Sequence, residues 1–202
     1  MGAKHYENFP VASVLLPKRL RRPVQLIYAF ARSADDFADE GELAGETRLS
    51  LLRQYVRELD AIEHNSPPQQ PLFAELAPMI RAHRLPLQLF RDLLSAFSQD
   101  VTKNRYASFG EVMDYCRRSA NPIGRLLLHL YGADEPRNLA LSDGICSSLQ
   151  LINFLQDVEI DYHKNRVYLP QDEMQRFSVD ENQIARHDVS GNWRAFMLYQ
   201  IE

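Results

Sequence analysis

The chain has 202 residues, 45% of them hydrophobic, and a formal net charge of −4. That length suits one sizeable core, read here as a single helical domain over 1–202. The mild acidity argues against nucleic acid as a partner, because such proteins carry a basic patch on a basic domain. The two cysteines, Cys116 and Cys146, lie far apart, form no metal-type pair and suggest a reducing compartment. The first residues lack the charged, apolar and small-residue succession of a secretory signal. No apolar run reaches the roughly 18 residues of a membrane span. The expectation is a cytoplasmic protein that still admits a peripheral contact with a membrane.

Helical periodicity runs almost throughout. "PVQLIYAFARSADDFADE" (Pro23 to Glu40) opens with Pro at a first helical position, and Val24, Ile27, Tyr28, Ala31, Ala34 and Ala38 recur at helical spacing. Glu46 to His64 reads as a second amphipathic helix, and "NSPPQQP" (Asn65 to Pro71) as a loop. Leu72 to Arg84 and Pro86 to Val101 are two further helices. Ser108, with Glu111 three residues on, predicts a capping box. The helix behind it should break at Asn121-Pro122, since Pro lacks the N–H and clashes with the preceding turn. Arg137 to His163 is expected to be the longest helix, "RVYLP" an extended piece, and the tail from Gln171 a set of short helices. In "NWRAFMLYQIE" the apolar residues Trp193, Phe196 and Met197 are expected to lack cover. The fold class is all-α, a bundle of long helices.

Two helix faces are unusually rich in oxygen. Tyr28, Arg32, Asp35 and Asp39 form one stripe, with Asp36 beside it, because residues three and four apart stack on a helix. Like charges at that spacing cost a few tenths of a kcal/mol each unless a cation offsets them. In "LQLINFLQDVEID", Gln150, Asn153, Asp157 and Asp161 form a second stripe, while Leu151, Ile152, Leu155, Val158 and Ile160 are left for packing. One Asp-Asp-x-x-Asp taken alone is more readily a solvated face than a metal site. Two such stripes facing each other would hold hard divalent cations; Mg²⁺ takes oxygen ligands, keeps waters and is completed by substrate phosphates. The implied substrate is a diphosphate.

Other chemistries lack their residues. With only 8 glycines there is no glycine-rich phosphate loop. The histidines show no zinc spacing, and no Gly-x-Ser-x-Gly elbow occurs. "PKRLRRP" (Pro17 to Pro23) is a solvated basic face or an attractor of anionic lipid or diphosphate.

Together these segments resemble the squalene and phytoene synthases, head-to-head members of the isoprenoid synthase fold. "YAFARSADDFAD" resembles that family's first aspartate-rich motif, and "LQLINFLQDVEIDYHKNRVYLP" its second. "YASFGEVMDYCRRSANPIG" resembles the segment between them, and "HYENFPVASVLLP" the N-terminal motif. The resemblance implies that Asp35, Asp36, Asp39, Asn153, Asp157 and Asp161 hold Mg²⁺. It places Tyr28, Arg32, Gln150 and Arg166 around the diphosphate. His5, Phe9, Tyr115, Ala120, Asn121 and Gly124 would line the prenyl cavity, with the break at Pro122 making room for the chain. Asp35, Asp39, Asp157, Asp161 and Tyr115 are thereby the expected catalytic set.

Within the family, "ENFPVASVLLP" and "YCRRSANPIGRLLL" look most like the hopanoid-pathway branch, which converts presqualene diphosphate to hydroxysqualene. Many relatives have Val-Ala-Gly where this chain has Ser119, Ala120 and Asn121. A polar Asn121 would position the water that quenches the cation. Alternatives within the family are presqualene diphosphate or squalene synthase and phytoene synthase; outside catalysis, a scaffold relative. Other enzymes of squalene formation are the implied neighbours. The family usually continues for several helices past this point, so the cavity is expected to be open on one side.

Overall fold

The computed structural model describes residues 16–39 and 43–202, with side chains described up to Ala38 in the first stretch. Eleven helices are described: α1 (Lys18–Asp39), α2 (Gly45–Glu63), α3 (Pro71–His83), α4 (Leu87–Thr102), α5 (Phe109–Ser119), α6 (Asn121–Tyr131), α7 (Pro136–Gln156), α8 (Val158–His163), α9 (Gln171–Arg176), α10 (Glu181–Ala185) and α11 (Trp193–Ile201). Among the described residues the one β-type pairing is an isolated parallel bridge between Arg105 and Val167. The all-α expectation stands.

Several boundaries move for physical reasons. The first helix starts at Lys18, so Pro23 lies inside it. Leu20, fully buried four residues before Val24 on the same face, anchors the extra turn, and its burial holds the helix although Pro23 has no N–H for the Arg19 carbonyl. The capping box at Ser108 does not form. Ser108 makes no side-chain cap bond, and Glu111 instead accepts from the Ala107 N–H at 2.7 Å and the Lys103 ammonium at 2.8 Å. The helix expected over Arg137 to His163 is interrupted at Asp157, and α1, with 22 residues, is longer than α7, with 21. The hydrogen-bond ladder nearly survives the interruption: Asp157 N–H bonds the Asn153 carbonyl and Asp161 N–H the Asp157 carbonyl, both at 2.8 Å.

The main core lies among α1, α2, α3, α4 and α6. Phe30 is its centre, with Tyr55 stacked on it and Phe73 and Phe90 edge-on. A second cluster joins Ala96, Tyr106, Val112, Tyr115, Cys116, Phe154 and Tyr168. A third forms under the tail from Val167, Leu169, Met174, Val179, Ile184 and Phe196. Phe196, expected to lack cover, is 0% exposed, because α9 and α10 fold back beneath α11. Of the five apolar residues expected to pack from α7 and α8, Leu151, Leu155 and Val158 do so. Ile152 and Ile160 are 48% and 57% exposed; Phe154, between them in sequence, takes the inward position.

The expected break falls at Ala120, the single residue between α5 and α6. On the side facing α7 the space is filled. Gly124 lies so close to α7 that an added Cβ would stand 2.3 Å from Ser142 Oγ and 2.6 Å from Cys146 Sγ. Gly124→Val should therefore lower stability by about 1–3 kcal/mol, the usual range for overpacking. Adding Ser142→Ala and Cys146→Ala should recover part of that loss in thermal unfolding; if the triple variant is no more stable than the single, the close crossing is not the cause.

Candidate active site

The first acidic stripe occupies the last two turns of α1. Tyr28, Arg32, Asp35 and Asp36 are half-buried. Arg32 lies between the two carboxylates, with Nη2 2.7 Å from Asp36 Oδ1 and Nη1 3.8 Å from Asp35 Oδ2. The shorter contact is an ion pair whose angle misses that of a hydrogen bond, so Asp36 Oδ1 is buried with no hydrogen-bond donor. Asp39 ends α1 and its side chain lies outside the described residues, as do His5 and Phe9. The second stripe keeps its register across the interruption at Asp157. Gln150, Asn153, Asp157 and Asp161 are all half-buried, whereas Gln156, Glu159 and Ile160 on the next face are exposed.

The stripes are tied together by Arg166, which is 8% exposed. Asn165 precedes it in the left-handed region at φ 59°, a conformation Asn tolerates better than most residues, and there the chain reverses. Arg166 N–H returns to the Asp161 carbonyl at 2.8 Å. Its guanidinium Nη2 donates to the carbonyls of Ala38 at 3.4 Å and Asp100 at 3.2 Å. Both carbonyls belong to the last turns of their helices, where carbonyls lack intrahelical partners and the helix dipole is negative. One buried cation thus caps α1 and α4 together, beside the turn that carries Asp161. Arg105 braces this turn from outside: its Nε and Nη2 hold Glu181 at 2.5 and 2.6 Å, and Nη1 donates to the Asn165 carbonyl at 2.7 Å.

Beneath Arg166 lies a buried carboxylate that sequence reasoning missed. Asp100 is 8% exposed. Tyr115 Oη donates to its Oδ2 at 2.5 Å and Tyr168 Oη to its Oδ1 at 3.2 Å. The Tyr168 ring is stacked on Phe154, with centroids 3.9 Å apart and planes 6° from parallel. Burial first, and the Asp100 charge second, push the Tyr115 and Tyr168 hydroxyls well above the usual phenol range, so both remain donors. A signal was present: Asp100 continues the buried face of Leu93 and Phe97 at helical spacing, and a charge at a core position needs a partner. Tyr115, assigned by resemblance to the cavity, has its hydroxyl committed to Asp100. Asn121 is buried and its Oδ1 accepts from Ser147 Oγ at 2.9 Å. Ala120 is half-buried at the break, and Gly124 sits at the α6–α7 crossing.

The donors suit a hard cation. Carboxylates and an amide provide the oxygens that Mg²⁺ prefers, and Asp36 Oδ1 is a buried oxygen still lacking a donor. Among the described residues no three Asp, Glu, His or Cys side chains converge on one point. Among the described residues no helix is long and apolar enough to cross a membrane.

Comparison with known proteins gives this arrangement a family. The squalene/phytoene synthase model matches residues 3–202, and the chain belongs to that family. It is 38% identical over 186 residues to a hydroxysqualene synthase from Zymomonas mobilis, covering 91% of this chain and 61% of that protein. A hydroxysqualene synthase from Rhodopseudomonas palustris is 41% identical over 167 residues, covering 82% and 56%. The solved structure of squalene synthase HpnC from Alicyclobacillus acidocaldarius superposes with a TM-score of 0.87 at 32% identity, covering 97% of this chain and 73% of that one. The chain therefore spans less than two thirds of the length of these curated relatives.

The buried cluster around Tyr115 also sets an alkaline limit. Burial raises the Cys116 thiol from its ordinary 9.0 to about 12. Unfolding frees it to ionise at its ordinary value. Its contribution to stability is thus complete below pH 9 and is lost between pH 9 and 12, at roughly 1.4 kcal/mol per pH unit. The raised tyrosines act in the same direction from about pH 10. Urea midpoints should hold level up to pH 9 and fall steeply above it. Cys116→Ala should flatten the first part of that fall; an unchanged slope would remove the thiol from the account.

Proposed function

We propose that this chain carries the diphosphate site of a Mg²⁺-dependent enzyme that converts presqualene diphosphate to hydroxysqualene. The observation that supports it most is the junction at Arg166. A single buried guanidinium joins the end of α1, between Asp35 and Asp39 in sequence, to the turn of Asp161. The end of one oxygen-rich stripe is thereby tied to the turn that ends the other, which supports their serving one ligand, with Tyr28, Arg32 and Gln150 on the same stripes. The identities above 35% to two hydroxysqualene synthases support the choice of reaction within the family.

On this reading Asp35, Asp36, Asp39, Asn153, Asp157 and Asp161 hold the ion. Mg²⁺ bound there would neutralise charge on the leaving diphosphate and so favour C–O ionisation. Arg32 and Arg166 add fixed positive charge at the same end. On this reading Phe9 and Tyr115 would stabilise the carbocation by cation–π attraction, about 2 kcal/mol when desolvated. Asn121 has its oxygen engaged by Ser147, which leaves its amide N–H groups as the donors it would offer to a water. A water held by such an N–H keeps a lone pair for attack on the cation.

The test is product analysis with the full chain, presqualene diphosphate and Mg²⁺. Hydroxysqualene and free diphosphate are expected, with loss of both on chelation. Asp157→Asn should reduce turnover by ~10²-fold or more, the scale of one lost electrostatic stabiliser. Formation of phytoene from geranylgeranyl diphosphate, with no reaction of presqualene diphosphate, would reassign the chain to another branch. For Asn121→Gly the share of alcohol among the products should fall relative to hydrocarbon; an unchanged alcohol share would remove Asn121 from the quenching step.

A further inference from the structure

We propose that Asp100 is a positioning residue for the diphosphate site: it holds Arg166 and Tyr115 in place between the two acidic stripes without touching the ligand itself. The inference rests on the function proposed above and extends it to a residue outside both aspartate motifs.

Three contacts carry it. The Asp100 carboxylate accepts from Tyr115 of α5 and from Tyr168 of the extended segment. Its carbonyl accepts from Arg166 Nη2, the same nitrogen that reaches Ala38 at the end of α1. Tyr168 stands two residues after Arg166 and is clamped between Asp100 and the ring of Phe154 on α7. Asp100 therefore touches the Arg166 segment at two points, one through its main chain and one through its side chain. A buried carboxylate is costly unless fully hydrogen-bonded, and here both oxygens have a phenolic donor. Asn in its place would offer one acceptor and a pair of N–H donors to two hydroxyls that must then turn. The expected result is a loosened Tyr168 and a displaced Arg166, in the way that losing a supporting partner of a metal ligand costs 10–100-fold in affinity or activity.

The experiment is titration calorimetry of the full chain with inorganic pyrophosphate in the presence of Mg²⁺, alongside thermal unfolding. For Asp100→Asn the affinity should fall by about 10–100-fold while the unfolding temperature stays within a few degrees of the parent. An Asp100→Asn protein that binds as tightly as the parent, or loses only thermal stability, overturns the inference and leaves the proposed function standing. If Asp100→Asn does not fold, Tyr168→Phe decides: it keeps the stack on Phe154 and removes one donor. Severalfold weaker binding supports the inference, and unchanged binding overturns it. A parent chain that does not bind pyrophosphate with Mg²⁺ overturns the proposed function, and the role of Asp100 falls with it.

Discussion

Arg166 and Asp100 are both buried, and withdrawing two charges from water costs several kcal/mol per ion even after relaxation. That cost sets the terms for everything around them. The guanidinium is placed at the C-terminal carbonyls of α1 and α4, where two helix dipoles offer partial negative charge, and it shares the Ala38 carbonyl with Arg48 Nη1 at 3.1 Å. The carboxylate is placed between two hydroxyls whose donors cannot ionise away at neutral pH. Neither arrangement tolerates much displacement, since a buried charge that loses a partner is left with its full desolvation penalty. The ends of α1 and α4, the start of the extended segment and the Tyr115 face of α5 are consequently fixed relative to one another.

The parts of this arrangement that were legible in the sequence are those with local periodicity. Asp35, Asp36, Asn153, Asp157 and Asp161 declare their shared faces through spacing of three and four, which needs no tertiary information. The break before Pro122 is legible for the same reason: a missing N–H acts within one turn. The tie between the stripes was not. Arg166 reaches Asp100 across 66 residues and Ala38 across 128, and no periodicity links positions so distant. The interruption at Asp157 is also silent, having no Pro or Gly to mark it. The capping box at Ser108 misled because Glu111 found a stronger partner in Lys103, a charge-assisted bond that outweighs a neutral one.

The apolar residues of α7 and α8 show the limit of reading amphipathicity as if from one helix. Leu151, Ile152, Leu155, Val158 and Ile160 cover too wide an arc for one neighbour. The second and third clusters take Leu151, Leu155 and Val158, and leave Ile152 and Ile160 toward solvent. Phe154, left out of the five residues assigned to packing, becomes the main inward contact because its ring stacks face to face on Tyr168. A stacked aromatic pair can add about 0.5–1.5 kcal/mol beyond its buried area. The side chain that buries the helix is thus chosen by its partner, not by its hydrophobicity alone.

The last turns of α1 hold two adjacent carboxylates, Asp35 and Asp36, beside one arginine. Arg32 offsets Asp36 through a contact of 2.7 Å and Asp35 through a looser one of 3.8 Å, yet Asp36 Oδ1 is buried without a hydrogen-bond donor. Retaining two adjacent carboxylates against one arginine makes sense if a cation supplies the missing charge. On the function proposed above, the Arg166 contact at the Ala38 carbonyl fixes the end of the helix that carries Asp35 and Asp36.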